Sequence, residues 1–206
     1  MKSLIRITLL LVAALAAPGL HAADDLLIAD FEGETYGAWK VAGAAFGPGP
    51  ARGTLPGQMQ VDGFQGKGLV NSFFKGDDTT GTLTSPAFKI ERPFIRFLIG
   101  GGGWPETCLN LRVQGKSMRT ATGPNTQPGG SEKLELQSWD VAEFIGQAAV
   151  IEIVDQRKGG WGHLNVDQIL QTNRKPPGIA TNATREIIAA KRLLNFPVKT
   201  GAPKRN

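Results

Sequence analysis

The stretch "FIRFLIGGGGWPETCLNLRV", Phe94–Val113, decides the fold. An apolar run ends in four consecutive glycines, a tryptophan and a proline, and a second run starts at Cys108. In that second run Leu109, Leu111 and Val113 share one face while Asn110 and Arg112 share the other, which is the period of a half-buried strand. A phosphate-cradling glycine loop needs a helix N-terminus behind it, with a Lys-Ser/Thr pair or Gly-x-Gly-x-x-Gly spacing in a βαβ unit. Here Trp-Pro-Glu and another strand follow. The glycines therefore read as a loop between neighbouring strands of a sandwich, leaving space for Trp104.

The rest of the chain extends this pattern. Short β-branched or aromatic runs occur at "LLIADF" (26–31), "LVNSFF" (69–74), "AVIEIV" (149–154) and "HLNVDQIL" (163–170), with weaker ones at "SPAFKI" and "KLELQSW". The 27 Gly and 13 Pro punctuate these runs, and no ten-residue helical pattern separates them. This predicts an all-β, antiparallel β-sandwich, with no internal repeat of the kind that builds propellers or solenoids. Tyr36 and Trp39 are expected on an early strand, and both Trp39 and Trp139 as packing residues.

Three segments are expected. Residues 1–23 read as an export signal: Lys2 and Arg6, the apolar run Ile7–Ala17, then small residues with cleavage after Ala22 or Ala23. The run is too short to span a bilayer, so the mature protein is expected outside the cytoplasm and free of the membrane. Residues 24–173 form the sandwich module, and 174–206 a linker and basic tail. The net charge of +5 divides unevenly along these segments. Residues 24–173 carry 13 Lys and Arg against 17 Asp and Glu, whereas the last segment carries 8 basic residues against Glu186 alone. A nucleic-acid-binding domain should carry positive charge on its own folded surface, so nucleic acid is excluded as a partner.

Catalytic constellations are tested by subtraction. His163 is the sole histidine after the signal, so a zinc site of histidines and cysteines lacks ligands. Cys108 is the single cysteine and reads as a structural thiol. No Gly-x-Ser-x-Gly elbow is present, and no pair among the acids stands out as catalytic. Two Trp-Gly loops rise above this background, "GGGGWPET" and "KGGWGH". In each, a ring beside glycines is free to stack on the C–H face of a sugar, and Glu106, Arg157 and His163 are positioned to bond hydroxyls. The candidate carbohydrate-binding set is therefore Trp104, Glu106, Arg157, Trp161 and His163. The competing reading makes Trp104 and Trp161 core rings at the ends of the sandwich. Asp30 and Glu32 near the first strand and Asp167 on the last are candidate ligands for a structural calcium ion, a hard cation that takes oxygen donors.

The stretches 29–73, 81–125 and 139–169 together resemble the N-terminal module of secreted bacterial fructan hydrolases, the levanase-like members of glycoside hydrolase family thirty-two. The resemblance implies a galactose-binding-like, jelly-roll sandwich, and either a fructan or a hydrolase catalytic domain as partner. The tail resembles the segment that leads, in such hydrolases, towards a catalytic propeller. That family's Asn-Asp-Pro-Asn-Gly, Arg-Asp-Pro and Glu-Cys motifs are not found in the sequence, so no catalytic residue carries over. The expectation is a non-catalytic module, either the front end of a longer hydrolase or a detached accessory unit. It binds carbohydrate or else packs structurally against a propeller.

Overall fold

The computed structural model describes residues 25–175. The expected export segment, and the tail beyond Lys175, lie outside the described residues. Eleven strands run through the described chain: β1 (Leu26–Ala29), β2 (Lys40–Gly43), β3 (Val70–Asn71), β4 (Gly81–Thr84), β5 (Phe88–Lys89), β6 (Phe94–Gly101), β7 (Thr107–Val113), β8 (Lys116–Ala121), β9 (Glu135–Asp140), β10 (Ala148–Asp155) and β11 (Leu164–Thr172). One sheet has the order β1-β11-β6-β9, with β3 also on β11. The other has the order β2-β4-β10-β7-β8, with β5 also on β10. All strand pairs are antiparallel, and the helical content of the described residues is one 3₁₀ turn, Ala142–Phe144. The antiparallel sandwich is the fold that the sequence predicts.

Period-2 patterning builds the core. Ile95, Phe97 and Ile99 of β6 face Leu109, Leu111, Ile151 and Ile153 of the opposing sheet, all fully buried. Trp139 packs on Phe97 with ring centroids 4.6 Å apart. The opposite face of β6 is also covered, since Leu98 joins Val61, Leu69 and Leu134 in a smaller cluster beneath the loops around residues 51–69 and 124–134. Tyr36 and Trp39 pack on the core as expected, but they sit in the turn before β2 rather than on a strand. The expected early strand "YGAWKV" overlaps β2 only at Lys40 and Val41, and β4 and β8 have no counterpart in the sequence reading. "KVAG" and "KSMRTA" are mostly exposed edge strands, and "GTLT" has the composition of a turn.

The glycine run differs from expectation in a way that matters for the site. Gly100 and Gly101 are not loop but the end of β6, paired with Asn165 and Leu164. The residues after them do not join neighbours in one sheet; they cross from β6 to β7, which lies in the other sheet. Gly101 takes φ +86°, a conformation that glycine adopts without a Cβ penalty. Gly102 donates to the carbonyl of His163 (2.8 Å) and lies against the carbonyl of Trp161, where a Cβ has no room. Gly103 donates to Asn125 O (2.7 Å), and both the backbone and the side-chain N–H of Asn125 donate to Gly101 O, at 3.2 and 2.9 Å.

This close backbone packing predicts a graded glycine scan. Gly102→Ala should lose about 1–3 kcal/mol of stability in urea unfolding, as overpacked sites do. Gly103→Ala, whose Cβ would meet Gly123 O at 3.1 Å, should lose less than half as much. Equal losses at the two positions would show that the Gly102–Trp161 approach is not the tight point.

Candidate functional site

The last strand and its preceding loop position the site. In β11, Leu164 and Val166 point into the core, so Asn165 and Asp167 point outwards beneath the covering loops, and all four are buried. His163 closes the strand's N-terminal end. Its Nδ1 lies 2.6 Å from Asp77 Oδ1, and its Nε2 lies 2.8 and 3.0 Å from the two oxygens of Glu132. Asn165 donates from Nδ2 to Glu132 Oε2 at 2.7 Å. One imidazole thus joins two loops to the end of a strand. Burial disfavours the charged ring, but the hydrogen bonds it donates to Asp77 and Glu132 outweigh it and lift the His163 pKa to about 9. At neutral pH the ring is an imidazolium that donates both N–H groups to carboxylates.

Two aromatic rings enclose this ion. Trp161 stacks on His163 at 5.7 Å with 27° between the planes, and Phe73 meets it edge-on at 4.8 Å. Trp161 is a non-glycine residue at φ +59°, a sparsely populated conformation that the surroundings must impose. Its indole N–H donates to Gln127 O (2.8 Å), its backbone carbonyl lies on Gly102, and its ring lies over Gly130, where a Cβ would meet it at 2.7 Å. The ring and imidazolium form one wall of an open pocket of about 410 Å³. Met59, Phe73, the 126–129 loop, Asp77 and Glu132 supply the rest of the lining that matters chemically.

A second buried carboxylate stands behind the pocket. Asp155 continues the inward face of β10 after Ile151 and Ile153, opposite Thr107 of β7. Burial pushes its pKa up to about 7, while the charge of His163 pulls the other way. The same end of the sandwich therefore holds an apolar wall and a cluster of titratable groups.

The predicted sugar-binding residues divide into two groups. Trp161 and His163 line the pocket. Trp104 and Arg157 instead stack on each other, the guanidinium 4.1 Å from the ring centroid, and both are half-buried. Glu106 is exposed in the β6–β7 crossover, where its carbonyl accepts from Gln156 N (2.9 Å). Trp104, Glu106 and Arg157 do not line the pocket. Trp161 is neither free of contacts nor a core ring; it is half-buried at the pocket wall. Asp77, Glu132, Phe73 and Met59 were not singled out from the sequence. The "TGPNTQPGGSE" stretch, 122–132, held the available signal, since its glycines and prolines mark a long loop ending in an acid.

The three candidate calcium ligands lie near one another but are used differently. Glu32 accepts from Lys67 N and Gly68 N, which holds its pKa below the usual carboxylate value. Asp167 accepts from Gln65 N (2.8 Å) and Gln168 N (2.7 Å), and its pKa rises to about 6 through burial, with Glu32 and Asp30 adding repulsion. Asp30 accepts from Glu32 N (3.2 Å). Among the described residues no three His, Cys, Asp or Glu side chains are grouped to hold a metal ion. These carboxylates clasp loops to the sheet through backbone amides. Cys108 is buried, as expected of a structural thiol, and burial raises its pKa.

No family model matches the chain. Over 168 residues, 80% of the chain, it is 45% identical to ecdE of Aspergillus rugulosus, a protein provisionally named a glycosyl hydrolase. The match covers 22% of ecdE, so the chain spans about a fifth of that relative's length. Among solved structures, TmCBM61 in complex with β-1,4-galactotriose is 17% identical with a TM-score of 0.45, covering 69% of this chain and 94% of that one. A cyclase from Fischerella sp. TAU gives 12% and 0.47, covering 72% and 96%. A family 35 carbohydrate-binding module from Clostridium thermocellum gives 12% and 0.38, covering 72% and 97%. These are distant likenesses, and the galactotriose belongs to TmCBM61.

The His163 network sets a pH dependence. Its folded pKa of about 9 lies above the ordinary 6.5, so the folded state holds the extra proton between those values. Stability from this group is full below pH 6.5 and is lost as the pH rises to about 9, with a total on the order of 3 kcal/mol. Asp155 acts in the same direction at lower pH, because its folded pKa is raised and stability falls as it ionises. Thermal unfolding should therefore show Tm falling steadily from pH 6.5 to 9. In His163→Gln the curve should be lower and clearly shallower over that window, with the residual slope due to Asp155; a full wild-type slope retained in the variant would place the main titrating group elsewhere.

Proposed function

We propose that this chain is a carbohydrate-binding accessory module of a secreted fructan-degrading hydrolase, without catalysis of its own, and that the Trp161–His163 pocket holds the sugar. One observation carries the reading. A tryptophan is fixed in a left-handed backbone conformation at the wall of a pocket whose polar groups are carboxylates and amides. Sugar rings combine apolar C–H faces with hydroxyl edges, and a preorganised aromatic wall beside acceptors matches both. Asp77 fits the acceptor role, because Oδ1 is used by His163 while the side chain keeps 25% of its surface exposed. The likeness to ecdE supports the link to a glycosyl hydrolase. Fructan as the sugar, export as the destination and a catalytic domain as the partner rest on the sequence resemblance.

Binding is measured by calorimetry and tryptophan fluorescence with levan, inulin, β-1,4-galactan and an unrelated polysaccharide. Trp161→Gly is the informative variant, since glycine accepts the left-handed backbone while removing the ring. It should keep the folded Tm within a few degrees and lose at least tenfold in affinity for the retained polysaccharide. Retention of none of the four polysaccharides would sink the binding reading in favour of a module that packs against a hydrolase domain.

A further inference from the structure

The pocket's charge arrangement restricts which saccharides it admits; this deepens the reading above and rests on it. No lysine or arginine lines the pocket. The sole cation there, His163, spends both N–H groups on Asp77 and Glu132. Glu132 is nearly as buried as His163, and its oxygens are occupied by His163 and by Asn165. Two of the cations near the pocket are held against other rings. Lys75 lies over Phe74, 5.5 Å from the centroid, and Arg157 over Trp104. Asp155 stands behind His163 and adds no positive charge. Two carboxylates thus face one imidazolium, leaving an excess negative charge whose partly exposed end is Asp77.

We infer that the pocket is selective for uncharged saccharides and excludes acidic ones, with Asp77 as the residue that sets the selection. A neutral hexose or fructose unit brings hydroxyl donors to the Asp77 carboxylate. A uronate or carboxymethylated unit brings a second anion to the same place, with no guanidinium or ammonium in the lining to compensate it. Gln58 offers little compensation, because its amide is paired reciprocally with that of Asn71 (Nδ2 to Oε1, 2.7 Å; Nε2 to Oδ1, 3.3 Å). Asp77→Asn keeps an oxygen for His163 Nδ1–H and removes the repelling charge, so the variant is built to keep the fold.

The test uses the full chain at pH 6 with two matched pairs of probes: inulin oligosaccharides against their carboxymethylated derivatives, and galactose against galacturonate. In each pair that binds, the acidic member should be at least tenfold weaker, and Asp77→Asn should narrow the gap by raising affinity for the acidic member. The gap should also shrink in 1 M salt, where the screening length falls to about 3 Å. An acidic probe that binds wild-type protein as tightly as its neutral partner overturns the charge selection while leaving the saccharide reading intact. Failure of both neutral probes to bind, together with no retention on the four polysaccharides above, overturns the saccharide reading itself, and the selection with it.

Discussion

The approach of one backbone to another at Gly102 governs the architecture of the site. Gly102 donates to His163 O and lies against the carbonyl of Trp161, so the crossover between the two sheets is fastened to the loop that carries both residues. The same crossover is tied to Asn125 through Gly101 and Gly103, which fixes the start of the loop that brings Glu132 to His163. A side chain at position 102 would separate these backbones, and the loop would lose the constraint that keeps Trp161 at positive φ. The glycines act through close approach first and through torsional freedom second. Neither effect requires a ligand at the glycines themselves.

Electrostatics completes what the backbone begins. The 73–79 loop and the 124–134 loop have no strand pairing with each other, and each ends a carboxylate on His163. A neutral imidazole could donate to only one of them, leaving the other carboxylate buried beside a lone pair. The proton therefore does structural service: it allows one ring to hold two loops. The arrangement differs from an acid/base site, in which a nitrogen must be free to accept a proton from substrate. This is the physical reason for reading the pocket as a binding site.

Much of the fold was legible in the sequence because the central strands carry unmistakable alternation. Ile95, Phe97 and Ile99, then Leu109, Leu111 and Val113, declare their inward faces without any structural help. The edge strands were displaced or missed for the complementary reason. β2 and β8 bury little, so their sequences follow no packing constraint, and a glycine–threonine run such as β4 is strand only because β2 and β10 flank it. The site was half legible. Trp161 and His163 were found because a ring beside glycines is a local pattern. Asp77 and Glu132 lie 86 and 31 residues from His163, and nothing local distinguishes them from other acids in the body. Trp104 shows the limit of the local pattern, since the same ring-beside-glycine signal led to a cation–π pair with Arg157 away from the pocket.

One end of the molecule combines backbone strain with buried charge. The left-handed Trp161, the imidazolium between two carboxylates and the buried Asp155 all lie beyond the apolar core, where the sheets are held by Ile, Leu and Phe contacts. Asp155 is instructive, because it occupies an inward position at which β10 has used isoleucine twice. An apolar side chain there would bury without a desolvation cost, so stability alone does not account for a carboxylate. Burial raises its pKa to about 7 and the charge of His163 pulls it back down, so the two groups are coupled. Ionising Asp155 costs desolvation, and the imidazolium in front of it offsets part of that cost.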